Sequence, residues 1–179
     1  MTMRGARRLS YVQRWGIVPK LRPQSVAEHS YYVALYTMKI CDILGLDHAV
    51  RFAALQYALT HDMAEAFTGD IPTPLKKRIS NFTQAEVDIK EWMKVEVTNS
   101  NDHIIKPIVK IADILDAVVW LTEEKSMGNI RLDKLRSQMN KTLVHETDKL
   151  SSRYEMDGVE EFLDVTIAEA KKGITWYAE

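Results

Sequence analysis

The segment HAVRFAALQYALTHDMAEAFTGDIPTP, residues 48–74, has apolar side chains at helical spacing until one glycine and two prolines follow. The spacing predicts a helix over His48–Phe67, with Asp47 as its N-cap. Gly69–Pro74 predicts a loop, because glycine and proline interrupt helices. The adjacent pair His61 and Asp62 is therefore expected near the C-terminal end of a helix, beside a loop.

The same helical spacing continues through the rest of the chain, and no alternating run of β-branched residues is long enough for a strand. We therefore predict an all-α fold, a single compact helical bundle. Ser25 is a predicted N-cap, with Glu28 as its capping-box partner. The other predicted helices are Ser10–Gln13, Ser25–Leu44, Thr83–Asn99, Ile104–Lys125, Leu132–Ser151 and Asp157–Lys172.

Composition restricts the classes of partner. The 179 residues are 46% hydrophobic, which suits one domain over residues 1–179. The 24 Lys and Arg residues balance 25 Asp and Glu residues, so no overall positive field would hold a nucleic acid. No signal peptide and no run of about 20 apolar residues is visible, so we expect no membrane association. The single cysteine, Cys41, fits a reducing cytoplasm.

Four side chains with metal-binding chemistry, His29, His61, Asp62 and Asp113, lie in predicted helices. Imidazole and carboxylate ligands suit a divalent transition metal such as Mn, Fe, Co, Ni or Zn. Asp113 lies in an apolar run, where a carboxylate needs a cation to offset its desolvation. Asp116, on the same side of that helix, is an alternative ligand. The pattern predicts a metal centre that activates water for hydrolysis.

Four further residues have the chemistry that phosphate hydrolysis needs. Glu65 lies one turn after the His-Asp pair, so it can orient water or hold a proton for the leaving group. Transfer of a phosphate group to water requires cations on the non-bridging oxygens. Arg14 offers a bidentate fork for one phosphate group. Lys76 and Lys110 are the other cations expected at the mouth of the site.

Apolar residues near these loops are candidates for the base and sugar pocket. Trp15 follows Arg14 in a predicted loop, where a large exposed ring is suited to lie against a sugar or a base. Ile17 and Pro74 are apolar and lie near the same loops, so they are candidate walls of a base pocket.

The surroundings of these residues resemble the HD-domain metal-dependent phosphohydrolases. The motifs are RW at 14–15, SVAEHS at 25–30, HDMAE at 61–65, TGDIPTP at 68–74 and KIAD at 110–113. Within that superfamily they are similar to the YfbR-like 5'-deoxynucleotidase branch, including phage enzymes that act as dATP triphosphohydrolases. The resemblance covers about residues 14–124 and implies one HD-type domain.

The resemblance implies a metal held by His29, His61, Asp62 and Asp113, and so favours Asp113 over Asp116 as the fourth ligand. Among the metals it favours Co, Mn or Zn, with Mg as a candidate counter-ion of the phosphates. It implies a homo-oligomer, a dimer or higher. Residues that could cover a partner, or pack on the same chain, are Val159, Phe162, Leu163, Ile167, Ile174, Trp176 and Tyr177.

The resemblance also assigns roles in selecting the substrate. It places Trp15 by the deoxyribose, where the ring disfavours a 2'-hydroxyl group, and makes Asp70 the acceptor of a hydrogen bond from the 3'-hydroxyl group. Apolar residues like Ile17 and Pro74 leave no room for the 2-amino group of guanine in the phage enzymes. Adenine is therefore the favoured base.

The leading hypothesis is metal-dependent hydrolysis of the 5'-phosphoester of a small-molecule 2'-deoxynucleotide, foremost dATP to deoxyadenosine and triphosphate. The three cations Arg14, Lys76 and Lys110 favour a long phosphate chain. A general deoxynucleoside 5'-monophosphatase is the main alternative. Further alternatives are hydrolases of guanosine alarmones or cyclic dinucleotides, a non-catalytic nucleotide-binding regulatory module, and a helical interaction protein with a structural metal. The expected location is the cytosol of a bacterium or of a phage-infected host.

Overall fold

The computed structural model describes residues 3–95 and 102–173. Within these residues the chain forms nine α-helices and no β-strand, and a 3₁₀ turn at Ile130–Leu132 precedes the eighth helix. The predicted all-α fold is confirmed. The helices are α1 (Met3–Arg8), α2 (Val26–Ile43), α3 (His48–Thr60), α4 (Glu65–Thr68), α5 (Thr73–Lys76), α6 (Phe82–Trp92), α7 (Asp102–Ser126), α8 (Asp133–Ser151) and α9 (Asp157–Lys172).

Helix α7 lies at the centre of the fold and packs against α2, α3, α8 and α9. Its side chains Ile111, Ala112, Ile114 and Leu115 are all buried although they point in different directions around the helix. A helix that is apolar on several sides is typical of a core position. Asp113 lies on this central helix, and its carboxylate is half-buried with 23% of the side chain exposed.

The start of α2 follows the sequence prediction in part. Ser25 Oγ accepts a hydrogen bond from the backbone N–H of Glu28 at 3.1 Å, as an N-cap should. The carboxylate of Glu28 instead pairs with Arg22, so only half of the predicted capping box forms. Asp47 caps α3 as predicted, with Oδ1 accepting from two backbone N–H groups of its first turn.

The continuous helix predicted over His48–Phe67 is wrong, because α3 ends at Thr60. The next backbone hydrogen bonds span three residues instead of four, starting with Met63 N to Thr60 O at 3.1 Å. Side chains of the last turn also bond to its carbonyl groups, among them His61 Nδ1 to Ala58 O at 2.7 Å. The His-Asp pair therefore lies in a tight turn between α3 and α4.

Two predictions at the N-terminal side also differ from the structure. The helix predicted at Ser10–Gln13 is absent and α1 precedes it, because Val12 and Gln13 run antiparallel to the segment before α2. Val26 N donates to Val12 O at 2.9 Å across this pair. The loop predicted over Gly69–Pro74 is shorter, since Thr73 and Pro74 open α5, where proline is tolerated in the first turn.

The later helices agree with prediction except for one end. The helix predicted over Thr83–Asn99 is the shorter α6, which ends at Trp92, and Lys94 then has a left-handed φ of 56°. Asn99 lies outside the described residues. Helices α7, α8 and α9 lie within two residues of their predicted bounds. None of the described helices has both the length and the apolar composition that crossing a bilayer requires.

The apolar residues proposed for an oligomer interface on α9 are used inside the chain. Val159 and Leu163 are buried in the core, and Ile167 packs against it. The Phe162 ring lies 6.1 Å from the Tyr36 ring. The sequence left open whether these residues pack on the same chain or cover a partner. In the structure these four pack on the same chain. Ile174, Trp176 and Tyr177 lie outside the described residues.

Candidate metal centre

His29 lies in the first turns of α2 and is fully buried. Its Nδ1 is 2.6 Å from Asp116 Oδ2, and since an ionised carboxylate only accepts, Nδ1 carries the proton. In the neutral ring the other nitrogen, Nε2, then has a free lone pair. It lies 3.3 Å from Asp113 Oδ1 and 3.6 Å from Asp62 Oδ2.

His61 is oriented in the same way by a backbone group. Its Nδ1 is 2.7 Å from the carbonyl oxygen of Ala58, which can only accept, so Nε2 again keeps its lone pair. That Nε2 lies 3.2 Å from Asp62 Oδ2. The rings of His61 and His29 meet edge to face at a centroid distance of 5.4 Å. The tight turn after α3 thus presents both members of the pair to the buried histidine of α2.

The structure brings these side chains to one point. One ligand atom each of His29, His61 and Asp113 lies within 4.8 Å of the others, a possible His-His-Asp metal site. Both Nε2 atoms are buried, and neither has a hydrogen-bond partner in the described part of the chain. Buried polar atoms without partners are unfavourable, and a divalent cation that receives both lone pairs removes that cost. The residues present therefore fit a metal; Asp62 as a fourth ligand stays a prediction.

The electrostatics of the cluster favour a cation. Burial raises the pKa of Asp62, but the charges of His61 and His29 outweigh burial and hold this pKa below its ordinary value. Burial likewise raises the pKa of Asp113, and His29 and Lys110 outweigh it and keep the pKa well below its usual range. Both carboxylates are thus ionised at neutral pH, as metal ligands must be.

The pKa of His29 reports the same negative field. Burial and the charge of Arg14 lower this pKa, but the carboxylates of Asp113 and Asp116 outweigh them and raise it to about 9. The cluster therefore attracts positive charge to the position of Nε2. A bound metal would compete with the proton for that lone pair.

Glu65 lies in α4 with only 4% of its surface exposed. Burial raises the pKa of its carboxyl group, and the charge of Asp62 adds to this effect. Lys76 opposes both, with Nζ 2.9 Å from Glu65 Oε1, yet the pKa remains raised to about 7. A carboxyl group that titrates near neutral pH is suited to give and take a proton.

Arg14 is bound on one edge of its guanidinium group. Nη1 lies 3.0 Å from Asp116 Oδ2 and 2.9 Å from Gln24 Oε1, and the side chain is 14% exposed. All the hydrogen bonds of its side chain to described residues leave from Nη1. The rest of the group can donate to an anion, so the predicted phosphate fork is retained in part.

Trp15 is held by the protein on several sides. Its backbone has a left-handed φ of 63°, and its N–H donates to Asp70 Oδ2 at 3.0 Å. Its indole Nε1 donates to Gln24 Oε1 at 2.9 Å, and its ring stacks on Trp120 at a centroid distance of 4.8 Å. The half-buried ring can offer a sugar only the part that these contacts leave open. Asp70 thus has a structural partner in Trp15 in addition to its predicted sugar contact.

The remaining predicted site residues lie further out or are paired. Lys110 Nζ donates to Asp113 Oδ2 at 2.7 Å, and Lys76 lies between Glu65 and Glu86. Ile17 is 76% exposed and Pro74 is exposed, so the structure does not bring either into the buried cluster. Their roles remain predictions.

Three polar residues were missed in the sequence, two that bond to site residues and Glu124, which anchors a loop. Buried Gln24 joins Arg14 to Asp116, and Lys90 donates from α6 to the carbonyl oxygen of His61. Burial lowers the pKa of Lys90. Fully buried Glu124 accepts from the backbone N–H groups of the loop that follows Trp15. Their partners are distant in sequence, and Glu124 stands in a run of charges that predicts a solvated helix end, so no local pattern marks them.

The sequence and the fold were compared with known proteins. The family model described as 5'-deoxynucleotidase YfbR-like matches residues 3–97. A dATP triphosphohydrolase of Salmonella phage PMBT28 is 39% identical over 131 residues, which cover 69% of this chain and 67% of that protein. A 5'-deoxynucleotidase of Photorhabdus temperata is 31% identical over 161 residues, which cover 76% of this chain and 80% of that protein.

One solved structure shows the same fold over nearly the whole chain. It is an HD phosphohydrolase of Cyanophage S-2L bound to dA and one catalytic Zn²⁺ ion, with a TM-score of 0.66 and 23% identity. The alignment covers 98% of this chain and 97% of that one. The predicted resemblance is thereby confirmed. The chain therefore belongs to the 5'-deoxynucleotidase YfbR-like family, a family of hydrolases.

Proposed function

We propose that this protein hydrolyses the 5'-phosphoester of 2'-deoxynucleotides, with dATP as the leading substrate and deoxyadenosine and triphosphate as products. The observation that supports this proposal most is that the buried Nε2 atoms of His29 and His61, which face Asp62 and Asp113, have no hydrogen-bond partner among the described residues. The phage relative named dATP triphosphohydrolase supports the choice of nucleotide.

His29, His61, Asp62 and Asp113 would hold the metal. Bound there, a divalent ion supplies Lewis acidity toward the phosphate and lowers the pKa of water. The zinc ion in the S-2L structure supports Zn first, with Co or Mn as the other candidates and Mg as a counter-ion of the phosphates. All four ligands would come from α2, α7 and the turn after α3.

The other residues of the chain would bind, orient and exchange protons. Glu65 can take a proton from the attacking water or give one to the departing 5'-oxygen, because its pKa lies near neutral. The outer edge of Arg14 donates to a non-bridging phosphate oxygen. Trp15 and Asp70, joined through the Trp15 backbone N–H, would face the deoxyribose.

One observation favours the monophosphatase alternative. Two of the three cations expected to line a long phosphate chain are already paired, Lys76 with Glu65 and Glu86, and Lys110 with Asp113. Carboxylate partners thus offset part of the charge of both lysines, whereas Arg14 keeps one whole edge of its guanidinium group for the substrate. A site with one well-placed cation suits a single phosphate group, as in the 5'-deoxynucleotidase relative.

Product analysis separates the two candidates. The purified protein is incubated with each deoxy- and ribonucleoside mono- and triphosphate in the presence of Zn²⁺, Mn²⁺ or Co²⁺. Release of triphosphate from dATP supports the leading proposal, and phosphate release from deoxynucleoside monophosphates alone supports the alternative. Absence of turnover with every nucleotide and metal would contradict both.

We infer a deoxynucleotide as the small-molecule ligand, a homo-oligomer as the assembly, one domain over residues 1–179, and a cytosolic location. The balanced charge argues against nucleic acid as a partner. Apolar side chains that remain exposed on α2 and α3 support the association of copies.

A further inference from the structure

Asp116 is a buried carboxylate at which three parts of the site meet. A single oxygen, Oδ2, lies 2.6 Å from His29 Nδ1, 2.9 Å from Gln24 Nε2 and 3.0 Å from Arg14 Nη1. The side chain is 3% exposed and lies on α7, one helical turn after Asp113. It is on the far side of the imidazole from the metal cluster, so it is not itself a ligand.

We propose that Asp116 is a positioning residue that sets the metal affinity of His29 and the orientation of Arg14 through this one oxygen. The proposal rests on the function proposed above and extends it. It assigns to Asp116 a connection between the metal half and the phosphate half of the site.

The first step concerns the tautomer of His29. Nδ1 also lies 2.8 Å from Arg14 Nη1, but a guanidinium group can only donate, so that contact would require an unprotonated Nδ1. The contact with Asp116 is shorter and joins a donor to a negative charge. A proton on Nδ1 leaves Nε2 free for a metal, and a carboxylate partner makes that nitrogen more basic.

The two histidines of the cluster differ in this respect. His61 is oriented by a neutral acceptor, the carbonyl oxygen of Ala58, whereas His29 is oriented by a charge. Removing the charge of Asp116 should therefore lower the affinity of the site for the metal, and it should do so through His29 alone. The predicted loss is about 10- to 100-fold in metal affinity, the range typical of such outer partners.

The second step concerns the substrate side. Asp116 and Gln24 bind the inner edge of Arg14, which directs the outer edge of the guanidinium group away from the core. Gln24 also accepts from the indole N–H of Trp15. Asp116 thus supports Arg14 directly and Trp15 through Gln24, and its loss should raise KM for a deoxynucleotide even when the metal is saturating.

The test is Asp116→Asn, which keeps the size of the side chain. Zn²⁺ is titrated into the metal-free protein by calorimetry, and KM and kcat are then measured at saturating Zn²⁺. We expect weaker Zn²⁺ binding and a higher KM. Glu124→Gln is the matched control. Glu124 is an equally buried carboxylate of α7, but it accepts from loop N–H groups and the Asn129 amide, so the change should leave Zn²⁺ affinity unchanged.

Native Zn²⁺ affinity in a folded Asp116→Asn variant would overturn the proposal. If the variant does not fold, ¹⁵N NMR of the wild-type zinc-bound protein decides instead, since a proton on His29 Nδ1 is required and its absence would refute the role. Weak Zn²⁺ binding by the variant, together with a wild type that hydrolyses no nucleotide, would uphold Asp116 and reject the proposed function.

Discussion

Asp62 is the residue whose removal most directly tests the cluster. Its Oδ2 lies 3.2 Å from His61 Nε2 and 3.6 Å from His29 Nε2, so it closes the space that both lone pairs face. We predict that Asp62→Ala loses both bound metal and turnover, while the helical circular dichroism spectrum stays near that of the wild type. Metal analysis and an activity assay measure the outcome, with Asp88→Ala on α6 as the control. Normal turnover by Asp62→Ala would contradict the assignment of this cluster as the metal site.

Glu65 links the chemistry to pH. Its pKa in the folded chain is about 7, above the ordinary value of 4.5, so between these two pH values the folded state binds more protons than the unfolded state. Raising the pH through this window therefore costs stability, and glutamine does not ionise. We predict that metal-free Glu65→Gln gains melting temperature relative to the wild type, and that the gain grows from about pH 5 to about pH 8.

Scanning calorimetry at several pH values measures this difference. Glu86→Gln removes the other carboxylate that contacts Lys76 and should show no gain of this kind. A Glu65→Gln difference that is constant with pH would mean that the buried carboxyl group has an ordinary pKa. The same variant is expected to lose most of its hydrolytic activity, since glutamine cannot exchange the proton.

Trp15 and Ile17 are the residues expected to select the sugar and the base, and this expectation rests on the family resemblance. If Trp15 excludes a 2'-hydroxyl group, Trp15→Ala should narrow the deoxy-over-ribo ratio of kcat/KM, a clash worth about 1–3 kcal/mol. Loss of the stack on Trp120 should lower stability as well.

If Ile17 faces the purine 2-position, Ile17→Ala should raise turnover of dGTP relative to dATP. Ile130→Ala, at an equally exposed isoleucine, is the control, and unchanged ratios in both variants would make the two residues packing elements.

At the scale of elements, the N-terminus of α2 matters because it positions His29. Ser25→Ala removes the acceptor of the Glu28 N–H, and we predict a loss of about 1 kcal/mol in the free energy of unfolding. Glu28→Ala should cost less, because the Glu28 carboxylate makes only a partly exposed ion pair with Arg22. Urea unfolding measures both variants. Equal losses would indicate that the complete capping box forms in solution.

The elements that sequence predicted well are those whose signals are local. Helices α7 and α9 are long and periodic, so their bounds follow from spacing alone. The end of α3 does not, because the residues after Thr60 keep helical spacing while their hydrogen bonds shorten to three residues. The helix predicted at Ser10–Gln13 does not form, because a turn holds Ser10 and Gln13 pairs antiparallel with Ser25, a neighbour that only the folded chain supplies.

The site residues, like the helices, were predicted where their signals are local in sequence. His29, the His-Asp pair and Asp113 stand in motifs that mark them. The contact of Arg14 with Asp116 joins residues 102 positions apart, and no spacing rule reaches that far. Sequence therefore predicted the groups that face the metal, while the network behind them required the packing of α2 on α7.

In the whole molecule, exposed apolar side chains recur at helical spacing along α2 and on the neighbouring α3. Tyr31, Leu35 and Met38 follow one another at helical spacing along α2 and are exposed. Helix α3, which packs against α2, exposes Phe52 and Leu59. Large apolar side chains that recur on neighbouring helices are typical of an interface between copies, and a two-fold axis would place each stripe against its equivalent.

We therefore predict that the protein forms an oligomer through this surface. The double variant Leu35→Glu and Met38→Glu should be a monomer, because each subunit would otherwise bury two charges without counter-ions. Light scattering on protein eluting from a sizing column gives the mass. Val165→Glu, at an exposed position of α9, should leave the mass unchanged, which separates loss of this interface from a general effect of added charge. A wild-type protein that elutes as a monomer would reject the association, and dissociation by the α9 variant alone would move the interface to the C-terminal helix.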